Sequence, residues 1–387
     1  MQRKIGGGTF WRAVAAMMGG VVGVGVFGLP YAFLQSGWVV GTILLVAIGF
    51  AMYLMQLMVA ELCEHTPGEH RIVGFIQRYL GPWAGYAAVV LFALSAWGAM
   101  SAYIQVGGVF WQTLFSPFVG GSAVAYQLLV WGAAAALIFQ GLRFATRFEP
   151  AVVGAFILLF VLFIIRAAAS FSAGRLPVTD WTAWQVPYGV VLFAVSGLAV
   201  VPEMYAILGA QKRKRLPVAL AVGAALILFL YFAFAVSVLG ATGSHTTPIA
   251  FAGLSTLFSP WFIFVGSAIG GLATFSIFWM VGLELQNTLR IDYKISRRVA
   301  WIYTVVPPLL FVFRSSSGFI QTLTFVGGIL IALFSVLLIW AHLRMRDTGT
   351  CRVYGCSRIP AWVSYLLMAV LLVGAVIELR PYLAGLL

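Results

Sequence analysis

Eleven long apolar stretches follow one another along the chain, parted by short polar or glycine-rich breaks. They cover about residues 10–36, 39–63, 83–115, 124–142, 149–171, 185–210, 216–241, 257–287, 298–313, 320–344 and 360–380. Each is near the ~20 apolar residues that a helix needs to cross a hydrocarbon layer of ~30 Å. The longest polar stretches, 64–82, 172–184, 288–297 and 345–359, are too short for a soluble domain. The pattern predicts an all-α polytopic membrane protein with 11 transmembrane helices, residues 1–387 forming a single transmembrane domain. Segment 71–80 reads as a short amphipathic helix lying on the inner membrane surface. Trp181, Trp184, Tyr188 and Trp261 suit an outer aromatic belt. The start, Met1 to Gly8, leads into a long apolar run without the short core and cleavage site of a secretory leader.

Composition narrows the class. Hydrophobic residues make up 62% and charged residues 9%, against about 45–50% and 25% in soluble domains. Too little polar surface remains for a soluble enzyme or a disordered chain. The net charge is +13, but the cations lie between apolar runs instead of forming a nucleic-acid patch. With a cytoplasmic N-terminus, only Arg166, Arg175, Arg314 and Arg380 of the 23 lysines and arginines fall outside. That bias agrees with eleven crossings, an outside C-terminus and a multi-pass protein of the cell inner (plasma) membrane.

Other chemistry is sparse. Cys63, Cys351 and Cys356 are too scattered for a disulfide framework. Cys351 and Cys356 read as reduced thiols in an inner loop. His65 and His70 with Glu61, Glu64 and Glu69 straddle a Pro67–Gly68 turn and read as a solvated loop. No catalytic triad, paired-carboxylate site or nucleotide motif is present, so an enzyme is disfavoured. No obligate protein partner or enzymatic cofactor is expected.

Two runs are hostile to a continuous helix. The first holds Gly19, Gly20, Gly23, Gly25, Gly28 and Pro30. The sixth holds Phe193, Ser196, Gly197 and Pro202. Gly25 to Pro30 and Gly197 to Pro202 share one spacing. Runs one and six are equivalent members of two five-helix halves, about 8–172 and 183–346, followed by an extra helix at about 360–380. Five crossings per half make the halves inverted repeats. Interrupted spans at matching places in inverted halves point to a transporter's central site. Unwound backbone at mid-membrane must be satisfied by protein, water, ions or substrate. Half-helix N-termini suit a carboxylate and half-helix C-termini a cation; a zwitterionic amino acid offers both. The competing reading of the glycines is close helix packing.

These residues carry a resemblance. Segment 8–42, with Val22-Gly-Val-Gly-Val-Phe-Gly-Leu-Pro30-Tyr-Ala-Phe-Leu-Gln-Ser-Gly-Trp38, resembles the first helix of the amino acid/auxin permease family, within the amino acid-polyamine-organocation superfamily. Gly98-Ala-Met-Ser-Ala-Tyr103 is similar to a segment of the sodium-coupled neutral amino acid transporters. Phe193-Ala-Val-Ser-Gly197 with Val201-Pro-Glu203, the basic cluster after it, Leu216-Pro217 and Tyr303-Thr-Val-Val-Pro-Pro308 extend the likeness over about residues 8–345. The chain lacks the long polar N-terminal tail of many eukaryotic members. The resemblance implies the five-plus-five LeuT-type fold and amino-acid uptake driven by sodium or protons.

On this reading the amides of Gly23, Val24 and Gly25 take the substrate carboxylate. Carbonyls near Val22, Phe193 and Ser196 take the ammonium group, and Tyr103, Phe193 and Gly197 border the pocket. Matching a LeuT-type sodium site gives Gly19 and Val22 with Thr274 or Ser276; the last two lie about 200° apart on a helix, so one faces the site. Glu203, about 9 Å down the inner half-helix from Gly197, is the candidate proton carrier; the alternative is a brace to an inner arginine. Glu61 and Glu284, near inner helix ends, are read as reaching water. The small apolar residues around the breaks favour a neutral substrate. A membrane sensor that binds an amino acid without turnover is the alternative function.

Overall fold

The computed structural model describes residues 8–66, 71–141, 149–209, 213–254, 258–291, 293–314, 318–347 and 359–384. Several readings lie outside the described residues: the Pro67–Gly68 turn with Glu69 and His70, the loop with Cys351 and Cys356, and Arg143, Arg147 and Lys212.

The described chain is helical, without strands. In order come α1 (Gly8–Val21), α2 (Leu29–Ser36), α3 (Trp38–His65), α4 (Ile72–Leu80), α5 (Pro82–Val119), α6 (Ala123–Gln140), α7 (Glu149–Ala168) and α8 (Gln185–Ala194). Then follow α9 (Val201–Leu208), α10 (Leu216–Thr242), α11 (Ala250–Leu254), α12 (Pro260–Ile291), α13 (Arg297–Arg314), α14 (Phe319–Phe325), α15 (Ala332–Asp347) and α16 (Ala361–Ala384). Among the described residues nine spans are long and apolar enough to cross a membrane, or up to ten if the bent pair formed by α1 and the chain to Ser36 is one span. The stretch expected at 298–313 is helical as α13, but it carries arginines at both ends and Pro307 and Pro308 inside.

Prolines explain local pairing. Pro307 has no N–H to give the Tyr303 carbonyl. The Trp97 indole of α5 donates to that carbonyl at 2.8 Å instead. Ser101, one turn on, donates to the Pro308 carbonyl at 2.9 Å. Trp97 and Ser101 thus tie α5 to α13 on one side.

Helix α4 matches the amphipathic segment expected at 71–80. Its apolar residues Ile72, Val73, Phe75 and Ile76 are buried, and it packs on α5 and α15. That face is therefore satisfied by protein. On the opposite side Gly37, at φ +84°, turns the chain from α2 into α3. The Asp180 amide there donates to the Ser36 carbonyl at 2.9 Å. Hydrogen bonds from the Thr182 hydroxyl and amide hold the exposed Asp180 carboxyl below the usual carboxylate range.

Candidate functional site

The site forms where α1 and α8 stop. α1 ends at Val21, Gly23 is extended (φ −135°, ψ −155°), and a tight turn over Val24–Gly28 leads into α2. The bend across this interruption is 53°. α8 ends at Ala194, Gly197 lies at φ −152°, and another tight turn at Leu198–Val200 leads into α9. Pro30 and Pro202 sit in the first turns of α2 and α9, where a missing N–H costs nothing.

The two interruptions lie against each other in a reciprocal way. A Cβ on Gly20 would come within 2.3 Å of Val200, and one on Gly197 within 2.4 Å of Val21. One on Gly25 would meet the Ala194 backbone at 2.8 Å and the Phe193 ring at 2.9 Å. Each glycine lets the other helix approach.

The freed backbone groups have partners. The Tyr231 hydroxyl of α10 lies 3.0 Å from the Val21 carbonyl and 3.1 Å from the Ala194 carbonyl, as donor to both. It also stands beside the Gly23 backbone. The Tyr103 hydroxyl of α5 lies against the Val24 amide. A Cβ on Gly23 would meet that hydroxyl at 2.6 Å. Ser196 turns its own hydroxyl back to the Phe193 carbonyl at 2.8 Å. Two tyrosine hydroxyls thus meet backbone groups of both interruptions. Removing one is a clean test. Tyr231→Phe leaves two buried carbonyls without their donor, at about 1–3 kcal/mol, so its unfolding temperature falls below wild type in a thermal melt.

Gln56 of α3 is the group that residue-by-residue reading missed. It is 1% exposed, and its Oε1 has no partner. Its amide lies 3.1 Å from a Cβ placed on Gly197. With Val21, Val195 and Ile227 it lines a cleft behind both interruptions. A glutamine inside the apolar stretch 43–60 of α3 was the available signal.

The proposed ion residues divide. Gly19, Val22 and Ser276 line one cleft, with Val152, Val153 and Phe156 of α7 and Ala273 of α12. Its free space of about 10 Å³ suits one water-sized occupant. Thr274 does not line this cleft. It donates to the Gly270 and Gly271 carbonyls of its own helix at 2.9 and 3.0 Å, and it faces Gly107 of α5. Glu203 is exposed in the first turn of α9, a place that favours an acid. It lies within electrostatic reach of Glu284 of α12, which also feels Arg71. Glu61 departs from its reading as a water-reaching acid: it is buried and paired with His342.

Comparison with known proteins places the chain in a family. The profile of the family described as "Transmembrane amino acid transporter protein" matches residues 6–376. The chain belongs to this family. Its long apolar helices agree with a multi-pass membrane protein. It is 36% identical over 80 residues to "Amino acid permease 8" of Arabidopsis thaliana, covering 19% of this chain and 17% of that protein. It is 26% identical over 296 residues to "Amino acid transporter ANT1" of Arabidopsis thaliana, covering 70% of this chain and 66% of that one. The chain therefore spans less than two thirds of either relative. Its fold is similar to that of MhsT, solved in complex with L-phenylalanine, with a TM-score of 0.68, 14% identity and 99% coverage of both chains.

Proposed function

We propose that the chain is a secondary active transporter of neutral amino acids that works by alternating access and is coupled to sodium or protons. The carrying observation is the meeting of the two interrupted helices, with backbone groups of Val21, Gly23, Val24 and Ala194 met by the hydroxyls of Tyr231 and Tyr103. A carboxylate that replaces the hydroxyls at the Gly23–Gly25 amides is favoured by the half-helix dipole. An ammonium group takes the carbonyls near Val22, Phe193 and Ser196. Tyr103, Phe193 and Gly197 border the substrate. Gln56 positions the interruption of the sixth span from behind.

The architecture behind this reading has eleven crossings, with spans one and six broken, in inverted repeats at about 8–172 and 183–346 and an extra helix at about 360–380. Spans one, two, six and seven (α1–α3 and α8–α10) rock against the rest. The N-terminus is cytoplasmic, in the cell inner (plasma) membrane. If sodium is the coupling ion, Gly19, Val22 and Ser276 hold it, and Thr274 requires a rotation of α12. If protons drive uptake, Glu203 is the candidate carrier. One charge falling through 100 mV supplies about 2.3 kcal/mol, enough for accumulation without ATP.

Proteoliposomes loaded with the purified chain are expected to accumulate labelled neutral amino acids under an imposed ion gradient. Saturable binding with no flux would instead favour a sensor. Replacing sodium by choline at constant pH abolishes uptake if Gly19, Val22 and Ser276 hold the ion, and leaves it unchanged if protons drive it.

A further inference from the structure

The seam where α8, the tenth span and α16 meet repeats one kind of contact three times. Tyr188 of α8 lies over Gly374 of α16 so closely that no Cβ fits there. Glu378 of α16 lies over Gly328, in the π-helical stretch Val326–Ile331, with its Cγ 2.8 Å from where a Cβ would stand. Thr324 of α14 lies over Gly189 of α8, with its backbone 2.7 Å and its methyl 3.0 Å from such a Cβ. Each element sets one side chain on a glycine of the next, and the ring of three closes.

Each of these side chains also carries an oxygen without a partner. The Tyr188 hydroxyl, Thr324 Oγ1 and Glu378 Oε1 are buried and make no hydrogen bond. Their residues are 4%, 9% and 4% exposed. Glu378 stands within electrostatic reach of Tyr188 and Tyr382, but the Tyr382 hydroxyl turns to the Gln321 carbonyl at 3.4 Å. The glycines explain the loss of partners. They draw the three elements together until the Tyr188 hydroxyl has not even the room of a methyl group above Gly374, which is too little for a water there.

The cost of this arrangement falls on one conformation. A buried polar group without a partner bears its full desolvation penalty, and exposure to water removes it. In the transport reading α8 rocks against the tenth span and α16, and the seam lies on the outer side. It is therefore shut when the site is closed to the outside and parted when the site faces outward.

We propose that Tyr188, Thr324 and Glu378 form a polar spring: closing the outer seam strips their oxygens of water, and rehydration drives the seam back open. The inference rests on the transport reading and adds the residues that set the balance between the outer-closed and outer-open states. The backbones meet further in, where a Cβ on Gly327 would lie 2.7 Å from the Phe193 amide nitrogen, and that meeting is the pivot. Packing holds the seam shut in this structure, and each unpaired oxygen weakens the hold about 5–30-fold.

The test removes the oxygens while keeping the shapes. Y188F, T324V and E378M are each expected to melt at or above wild type. That is the reverse of Tyr231→Phe, whose hydroxyl is bonded. Outer opening is read at L323C, in a chain with Cys63, Cys351 and Cys356 replaced by serine. Leu323 is fully buried beside Gly28, so a membrane-impermeant thiol reagent added to intact cells reaches the new cysteine only when the seam parts. Each of the three variants is expected to slow this labelling about 5–30-fold. A lower melting temperature, failure to fold, or labelling as fast as in the L323C parent would overturn the spring. So would a parent that takes up amino acids without being labelled. No uptake or exchange by wild type would instead contradict the transport reading, and the melts would still decide whether the oxygens are unpaired.

Discussion

Gly25→Val is expected to reduce amino-acid flux by at least ~100-fold, with the protein still recovered in the membrane. A Cβ at this position lies 2.8 Å from the Ala194 Cα and 2.9 Å from the Phe193 ring. The first contact is backbone, so no rotamer change relieves it. The two interruptions must separate, and the groups shared through Tyr231 lose their common geometry. Overpacking of this kind costs about 1–3 kcal/mol or more, and a loss of ~3 kcal/mol is a factor of more than 100. Uptake per mole of reconstituted protein checks it. Flux within a few-fold of wild type would show that the close approach at Gly25 is dispensable.

Gly327→Val is expected to do more, removing most folded protein. Gly327 lies in a π-helical stretch, Val326–Ile331, between α14 and α15. Its Cβ would sit 2.0 Å from the Gly189 carbonyl oxygen and 2.7 Å from the Phe193 amide nitrogen. Gly189 faces the same seam from the other side, and a Cβ on it would meet the Thr324 backbone at 2.7 Å. Two backbones thus touch along a line that positions α8, and with it the sixth-span interruption. Gly132→Ala is the matched control. Nothing lies within 4 Å of its added Cβ, and alanine in a helix interior gains about 0.5–1 kcal/mol over glycine. Size-exclusion profiles of detergent-extracted protein should therefore show a folded peak for Gly132→Ala and little for Gly327→Val.

The helical layout was legible because lipid imposes a simple rule: a spanning segment must be long, apolar and internally hydrogen-bonded. Where the rule was strained, at Gly19–Pro30, the residues themselves signalled an interruption. α13 shows the limit of that reading. Its prolines and terminal arginines weaken its apolar signature, and its backbone depends on Trp97 and Ser101 from α5.

Side-chain partners were far less legible. Tyr231 sits in an apolar helix and looks like packing, although its hydroxyl joins two interruptions. Its partners lie 210 and 37 positions away, a distance no local pattern encodes. Glu61 looked like a helix-end acid because His342 is equally remote. Spacing did say that Thr274 and Ser276 face different ways. It could not say that Ser276 takes the side of Gly19 and Val22 while Thr274 turns to Gly107.

The most direct measurement is an experimental structure of the full chain saturated with a neutral amino acid that it accumulates. The account predicts the carboxylate at the Gly23, Val24 and Gly25 amides, with the Tyr103 hydroxyl displaced from Val24, and the ammonium group at carbonyls of the two interruptions. A ligand seated elsewhere, with both interruptions as tightly filled as in the empty chain, would contradict it.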